Sequence, residues 1–105
     1  MHDFKNSLLA DEDLISIFAY TIEKWDSDQA LKYKQQLEKA QEEIRQDPFL
    51  TGSKASDDLA EGCRLYRAEH HYFAYRFKND TIEIARVLHE NMDFHVQMRV
   101  EYFPK

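Results

Sequence analysis

The chain is 105 residues long, with 43% hydrophobic and 32% charged residues, a balance that predicts one globular domain and excludes both a disordered chain and a two-domain protein. Its 14 Lys and Arg against 20 Asp and Glu leave a net charge of −6, the wrong sign for holding nucleic acid by phosphate neutralisation alone. Two glycines, two prolines and the single Cys63 exclude an internal disulfide and argue for a few long elements over a turn-rich β-sandwich.

Residues 3–7 read as a weak first strand. Ser7 can then cap a helix, with Asp11, Glu12 and Asp13 near its positive end. Leu14, Phe18, Ile22 and Trp25 form the expected stripe of that helix, Ile15 widens it, and Ile17 and Tyr20 put apolar surface on other sides. A second helix opens at Asp26 or Ser27, with Gln29 in a capping-box-like position. Ala30, Tyr33, Leu37, Ala40 and Ile44 make its apolar stripe, and Asp47-Pro48 stops it. The short link between the two predicts an antiparallel hairpin.

Residues 48–62 contain both glycines and show no sustained period, which predicts a loop. From Cys63 the period becomes two. Strands are expected over 63–68, 71–77 and 81–89, with Lys78-Asn79-Asp80 as a tight turn. The predicted fold class is α+β, a helical hairpin on a small antiparallel meander sheet. Phe73, Tyr75 and Phe77 alternate with Tyr72 and Ala74, and Ile82, Ile84 and Leu88 with Ala85 and Val87, so both sheet faces carry apolar side chains. Either the chain's own ends cover the second face or a partner does. No apolar run suits a membrane span and the first residues show no secretory pattern, so a cytoplasmic protein is expected.

Charge is uneven along the chain. Residues 1–50 hold 6 Lys and Arg against 11 Asp and Glu, whereas residues 63–89 hold 5 against 3, suggesting surfaces with different partners. Five histidines, His2, His70, His71, His89 and His95, lack convergent metal-ligand spacing. Neither a metal nor a cofactor is expected. No phosphate-cradling glycine loop, nucleophile elbow or zincin motif occurs, and Cys63 reads as a packing residue.

The ordered series Ser7-x-x-Ala10-x-x-Asp13-Leu14, Tyr20, Trp25, Gln29-Ala30, Tyr33, Leu37, Gly62-Cys63-Arg64, His71, Tyr75-Arg76 and Ile84-Ala85-Arg86-Val87-Leu88-His89-x-x-Met92-Asp93 resembles ParE toxins of the ParE/RelE superfamily. The resemblance spans roughly residues 5–95, giving an expected toxin domain at 1–95 and a tail at 96–105. It implies the toxin half of a bacterial type II toxin–antitoxin module that poisons DNA gyrase and stabilises its plasmid or chromosome. A cognate antitoxin would neutralise it by laying an extended or helical segment on it, with a higher-order toxin–antitoxin oligomer possible in principle. Direct DNA binding by the toxin and membrane association are not expected.

On this reading the chain is not an enzyme, and no catalytic residue is assigned. Target-contact candidates are Arg64, Arg86, His89, Met92 and Asp93. Antitoxin-contact candidates are Leu14, Phe18 and Tyr20 on the first helix, and Tyr72, Ala74, Ala85 and Val87 on the sheet. The alternative is a RelE-like, ribosome-dependent mRNA endonuclease. It would draw on Arg64, Arg67, Arg76, Arg86 and His89 with Tyr66, Tyr72 or Tyr102, because that chemistry needs cations on a phosphate and a proton carrier. The bland account of Arg64 and Arg86 is a structural ion pair or a bonded carbonyl.

Overall fold

Ser7 is where the first strand becomes the first helix. Its hydroxyl oxygen accepts the Ala10 amide at 3.0 Å while the hydroxyl donates to the Ala85 carbonyl at 2.6 Å, so one side chain caps the helix and ties it to the far end of the sequence. The computed structural model describes residues 2–98. The elements in chain order are β1 (Asp3–Asn6), α1 (Leu8–Lys24), α2 (Ser27–Gln46), β2 (Lys54–Ala55), β3 (Arg64–Ala68), β4 (His71–Lys78), β5 (Thr81–His89) and α3 (Phe94–Gln97).

Asp26 caps α2, its carboxylate accepting the Gln29 amide at 2.8 Å. Trp25 and Asp26 alone separate the helices, which pack as the expected hairpin. The α2 stripe is as expected: Ala30, Tyr33, Leu37, Ala40 and Ile44 are all buried. The α1 stripe differs. Ala10 and Thr21 are the buried residues, with Leu14 and Ile17 packed against the core between them. Phe18 is half-buried, and Ile15, Ile22 and Trp25 are exposed. Small side chains at Ala10 and Thr21 suit the sheet-facing side, and the bulkier residues that dominate the pattern point elsewhere.

The sheet order is β1-β5-β4-β3-β2. The meander β3-β4-β5 is antiparallel as expected, and Asn79 and Asp80, at φ 53° and 58°, form its second turn in the left-handed region. Two features correct the expectation. β1 pairs with β5 in parallel, Asp3 opposite Thr81 through Asn6 opposite Ile84, so the sheet is mixed. The two-residue β2, inside the expected loop, pairs antiparallel with β3.

A bulge in β5 changes which side chains share a face. Ala74 lies opposite Arg86 but Tyr75 lies opposite Ile84, leaving Ala85 as the extra residue. Strict alternation places Val87 with Ala85; the structure instead puts Val87 with Ile82 and Ile84 beneath the hairpin, and Ala85 with Leu88 on the other side. Two cores result. Phe73, Tyr75, Ile82, Ile84 and Val87 meet the α2 stripe on one face. Cys63, Ala74, Ala85, Leu88 and Met98 form the second core, with Leu59, Ala60, Leu65 and Phe94 packed on it. The chain therefore covers its own second face with the β2–β3 connection and α3. α3 crosses the position expected to begin the tail, and Tyr102 falls outside the described residues.

Candidate functional site

A groove runs between the two helices of the hairpin. Leu14, Ile15, Phe18 and Ile22 of α1 face Tyr33 and Leu37 of α2 across a groove of about 430 Å³, with Lys34, Glu38 and Gln41 also along the α2 wall. The Lys34 ammonium stands 5.9 Å from the Phe18 ring centroid and 3.7 Å from a Glu38 oxygen. The Thr21 hydroxyl is engaged by the Ile17 and Phe18 carbonyls at 3.0 and 2.9 Å, so its polarity is spent inside the helix. Ile15 is 70% exposed, and Tyr20, Ile22, Trp25 and Leu31 are further exposed apolar residues of the hairpin. Such a surface binds apolar side chains; nothing in its walls is arranged as a nucleophile with a base.

Of the antitoxin-contact candidates, Leu14 and Phe18 line this groove, and Tyr20 is exposed elsewhere on α1. The sheet candidates lie elsewhere. Ala74 and Ala85 are buried in the second core and Val87 beneath the hairpin, so none of the three opens to a partner in this structure. Tyr72 is half-buried against the Phe94 ring, centroids 5.3 Å apart.

The target-contact candidates do not converge. Arg86 forms a two-pronged ion pair with Asp13, at 2.7 Å through Nε and 2.8 Å through Nη2, and the same carboxylate accepts the Val87 amide at 2.9 Å. Arg86 Nη1 also donates to the Gln97 carbonyl at 3.3 Å. Arg86 thus joins α1, β5 and α3 through an ion pair of the kind weighed for it from the sequence. Arg64 lies opposite Tyr75, on the hairpin face, whereas Arg86 lies opposite Ala74 on the other face with β4 between them. Arg67 and Arg76 are taken by Glu90 at 2.8 Å and Glu83 at 3.1 Å. A phosphate clamp built from these arginines is therefore not assembled.

His89 is half-buried opposite His71, ring centroids 5.1 Å apart, and its Nδ1 accepts the Asn91 amide at 3.1 Å. The Tyr33 hydroxyl accepts the His70 amide at 3.2 Å and lies 2.6 Å from His71 Nδ1. Burial, then the neighbouring His89 and His70, lowers the His71 pKa to about 4. Burial raises the Cys63 thiol to about 11, consistent with packing rather than nucleophilic duty. Met92 is exposed, and Asp93 caps α3 by accepting the Val96 amide at 3.2 Å. Among the described residues no group of three or more His, Cys, Asp or Glu is placed to hold a metal ion, and no helix is long and apolar enough to cross a membrane.

Residues 5–94 match the sequence model of the family described as ParE toxin of type II toxin-antitoxin system, parDE. The chain belongs to the ParE toxin family. It is 33% identical over 85 residues to Toxin ParE1 of Mycobacterium tuberculosis, covering 80% of this chain and 85% of that protein. It is 30% identical over 93 residues to Toxin ParE1 of Caulobacter vibrioides, covering 89% and 94%. Among solved structures, the chromosomal ParDE TA system from P. aeruginosa aligns with a TM-score of 0.74 at 22% identity, covering 85% of this chain and 96% of that one. The YoeB-YefM complex from Staphylococcus aureus aligns at 0.57 and 20% identity, covering 85% and 97%. Both share the α+β ParE/RelE-like fold.

The residues that carry the ParE resemblance have physical duties here. Ser7 and Asp13 fasten α1 to the β5 bulge, Ala10 lets the helix approach the sheet, and Arg86 receives Asp13. The paired roles of Asp13 and Arg86 escaped the sequence reading because 73 residues separate them and Asp13 looked like one of three N-terminal acids. Phe49 was also missed. It is 60% exposed in the connection after α2, and no period marks a lone aromatic in a loop.

Proposed function

We propose that this ParE-family toxin acts on DNA gyrase by binding, without bond chemistry of its own, and that a cognate antitoxin holds it through the α1–α2 groove. The observation that carries the proposal is the groove: Leu14, Phe18 and Leu37 form an apolar trough left open on the hairpin, the kind of surface an antitoxin segment can fold onto. The ParDE TA system and the YoeB-YefM toxin-antitoxin complex, whose fold this chain shares, support a protein partner. The dispersed arginines, of which Arg67, Arg76 and Arg86 are carboxylate-paired, weigh against the nuclease alternative.

Target contact falls to the segment after β5, where Met92 and Val96 are exposed and Asp93 fixes the short helix. Arg86 serves this surface from beneath, by holding Gln97. Hydrogen exchange of the toxin, alone and with the antitoxin encoded beside it, tests the partner site. Amides of residues 14–22 are expected to slow on binding. Unchanged exchange there, with slowing on the β4–β5 face instead, rejects the groove.

A further inference from the structure

Arg64 is half-buried where the connection after α2 crosses the end of β3. Its Nη2 donates to Ser53 Oγ at 2.8 Å, while its Nε is buried without an acceptor. The guanidinium carbon lies 5.1 Å from the centroid of the exposed Phe49 ring. Among the described residues Arg67, Arg76 and Arg86 each have a carboxylate within 4.0 Å, and Arg64 has none. A partly buried guanidinium with an unmet donor is costly to keep, and Arg45, also without a carboxylate in reach, donates its Nε to the His2 carbonyl at 3.4 Å, so Arg64 is the one arginine among the described residues with a buried donor left without an acceptor.

The surroundings are already built. Pro48 is held by the Tyr75 hydroxyl at 2.6 Å, Leu50 by the Ser53 hydroxyl at 2.7 Å, and the Phe49 amide by the Asp47 carboxylate at 3.0 Å. Phe49 leans edge-on against Phe77, centroids 6.0 Å apart. The result is a fixed aromatic shelf beside an unneutralised cation.

We propose that Arg64 and Phe49 form a subsite for a protein carboxylate, an aspartate or glutamate side chain of a bound partner. Its oxygens would meet the guanidinium and its methylenes would lie on the Phe49 ring. The site favours one carboxylate over a polynucleotide phosphate because Asp47 and Glu43 stand on the same connection and the adjoining helix, Glu43 within 3.4 Å of the Tyr66 hydroxyl. A run of phosphates would meet those acids, whereas one carboxylate needs only the guanidinium fork. The subsite stands whatever occupies the α1–α2 groove.

The test follows the arginine Nε–H resonances of the ¹⁵N-labelled toxin during titration with benzoate, its neutral counterpart benzamide, and inorganic phosphate at matched ionic strength. Arg64→Lys assigns the Arg64 signal. Benzoate is expected to move that signal saturably and to leave those of Arg45, Arg67 and Arg76 in place, with benzamide inert and phosphate weaker. Phe49→Ala should weaken benzoate by about threefold to fivefold. A still signal with benzoate, an equal response to benzamide, or uniform drift of every arginine would overturn the subsite. Tighter binding of phosphate would overturn the choice of carboxylate in favour of a nucleic-acid contact.

Discussion

Replacing Asp13 by alanine removes the group on which α1, β5 and Arg86 converge. The carboxylate accepts three hydrogen bonds, two from Arg86 and one from the Val87 amide, and the two charged side chains are 15% and 12% exposed. Breaking a buried pair from one side costs about 3–5 kcal/mol because the other charge stays behind. Arg86 keeps its Gln97 contact, which places the loss at the lower end, about 3 kcal/mol. For a domain of this size that is a fall of about 12–20 °C in melting temperature. Urea unfolding of Asp13→Ala, Arg86→Met and the double variant Asp13→Ala/Arg86→Met measures the coupling directly. The double variant should cost less than the two single changes together, with a coupling of about 2 kcal/mol. Additivity within about 0.5 kcal/mol would refute the view that this pair locks the helix to the bulge.

His71 gives a pH signature. Its folded pKa of about 4 lies below the ordinary 6.5, so the unfolded chain takes up the proton first. The contribution is whole above about pH 6.5 and is lost as the pH falls toward 4. The full shift corresponds to about 3 kcal/mol, reduced by solvent screening of the half-buried ring to about 1–2 kcal/mol. The difference in unfolding free energy between wild type and His71→Gln should shrink by that amount between pH 7 and pH 5, and a constant difference contradicts the assignment. Ile15→Asp, at a position 70% exposed on the groove wall, should change stability by less than about 0.5 kcal/mol. Titration calorimetry should nonetheless find antitoxin binding at least about tenfold weaker. Cys63, 1% exposed with its thiol raised to about 11, should resist a disulfide reagent at pH 8 in the native toxin and react fully in urea; rapid native labelling would contradict its packing role.

Legibility in the sequence followed how local the determining interaction was. The α2 stripe and the two-residue turn at Asn79 and Asp80 depend on neighbours a few positions away, and both were readable. The α1 face was not, because its buried positions are Ala10 and Thr21 and its tie to β5 is the charged Asp13, which a hydrophobicity pattern counts weakly or as surface. The β5 bulge defeated period-two reading by inserting Ala85. It moved Val87 to the hairpin face. β1 was visible only as a weak strand, and nothing within its four residues encodes a parallel partner about eighty positions away. Leu14 and Phe18 were legible as groove residues because surplus apolar surface on a helix is itself a local signal. Arg86 was found by motif and a structural ion pair was weighed for it, but its partner Asp13 lies 73 residues away and was not legible.

The central claim, a toxin that binds its target and performs no bond chemistry, is tested most directly by adding the purified toxin to gyrase with supercoiled and relaxed plasmid and quantifying cleaved DNA and supercoiling, alongside mRNA integrity on translating ribosomes. The account predicts loss of supercoiling with accumulation of cleaved DNA, relief of both by the antitoxin, weakening by Met92→Asp, and intact mRNA. Cleavage of mRNA that disappears in His89→Ala, with supercoiling untouched, would contradict it.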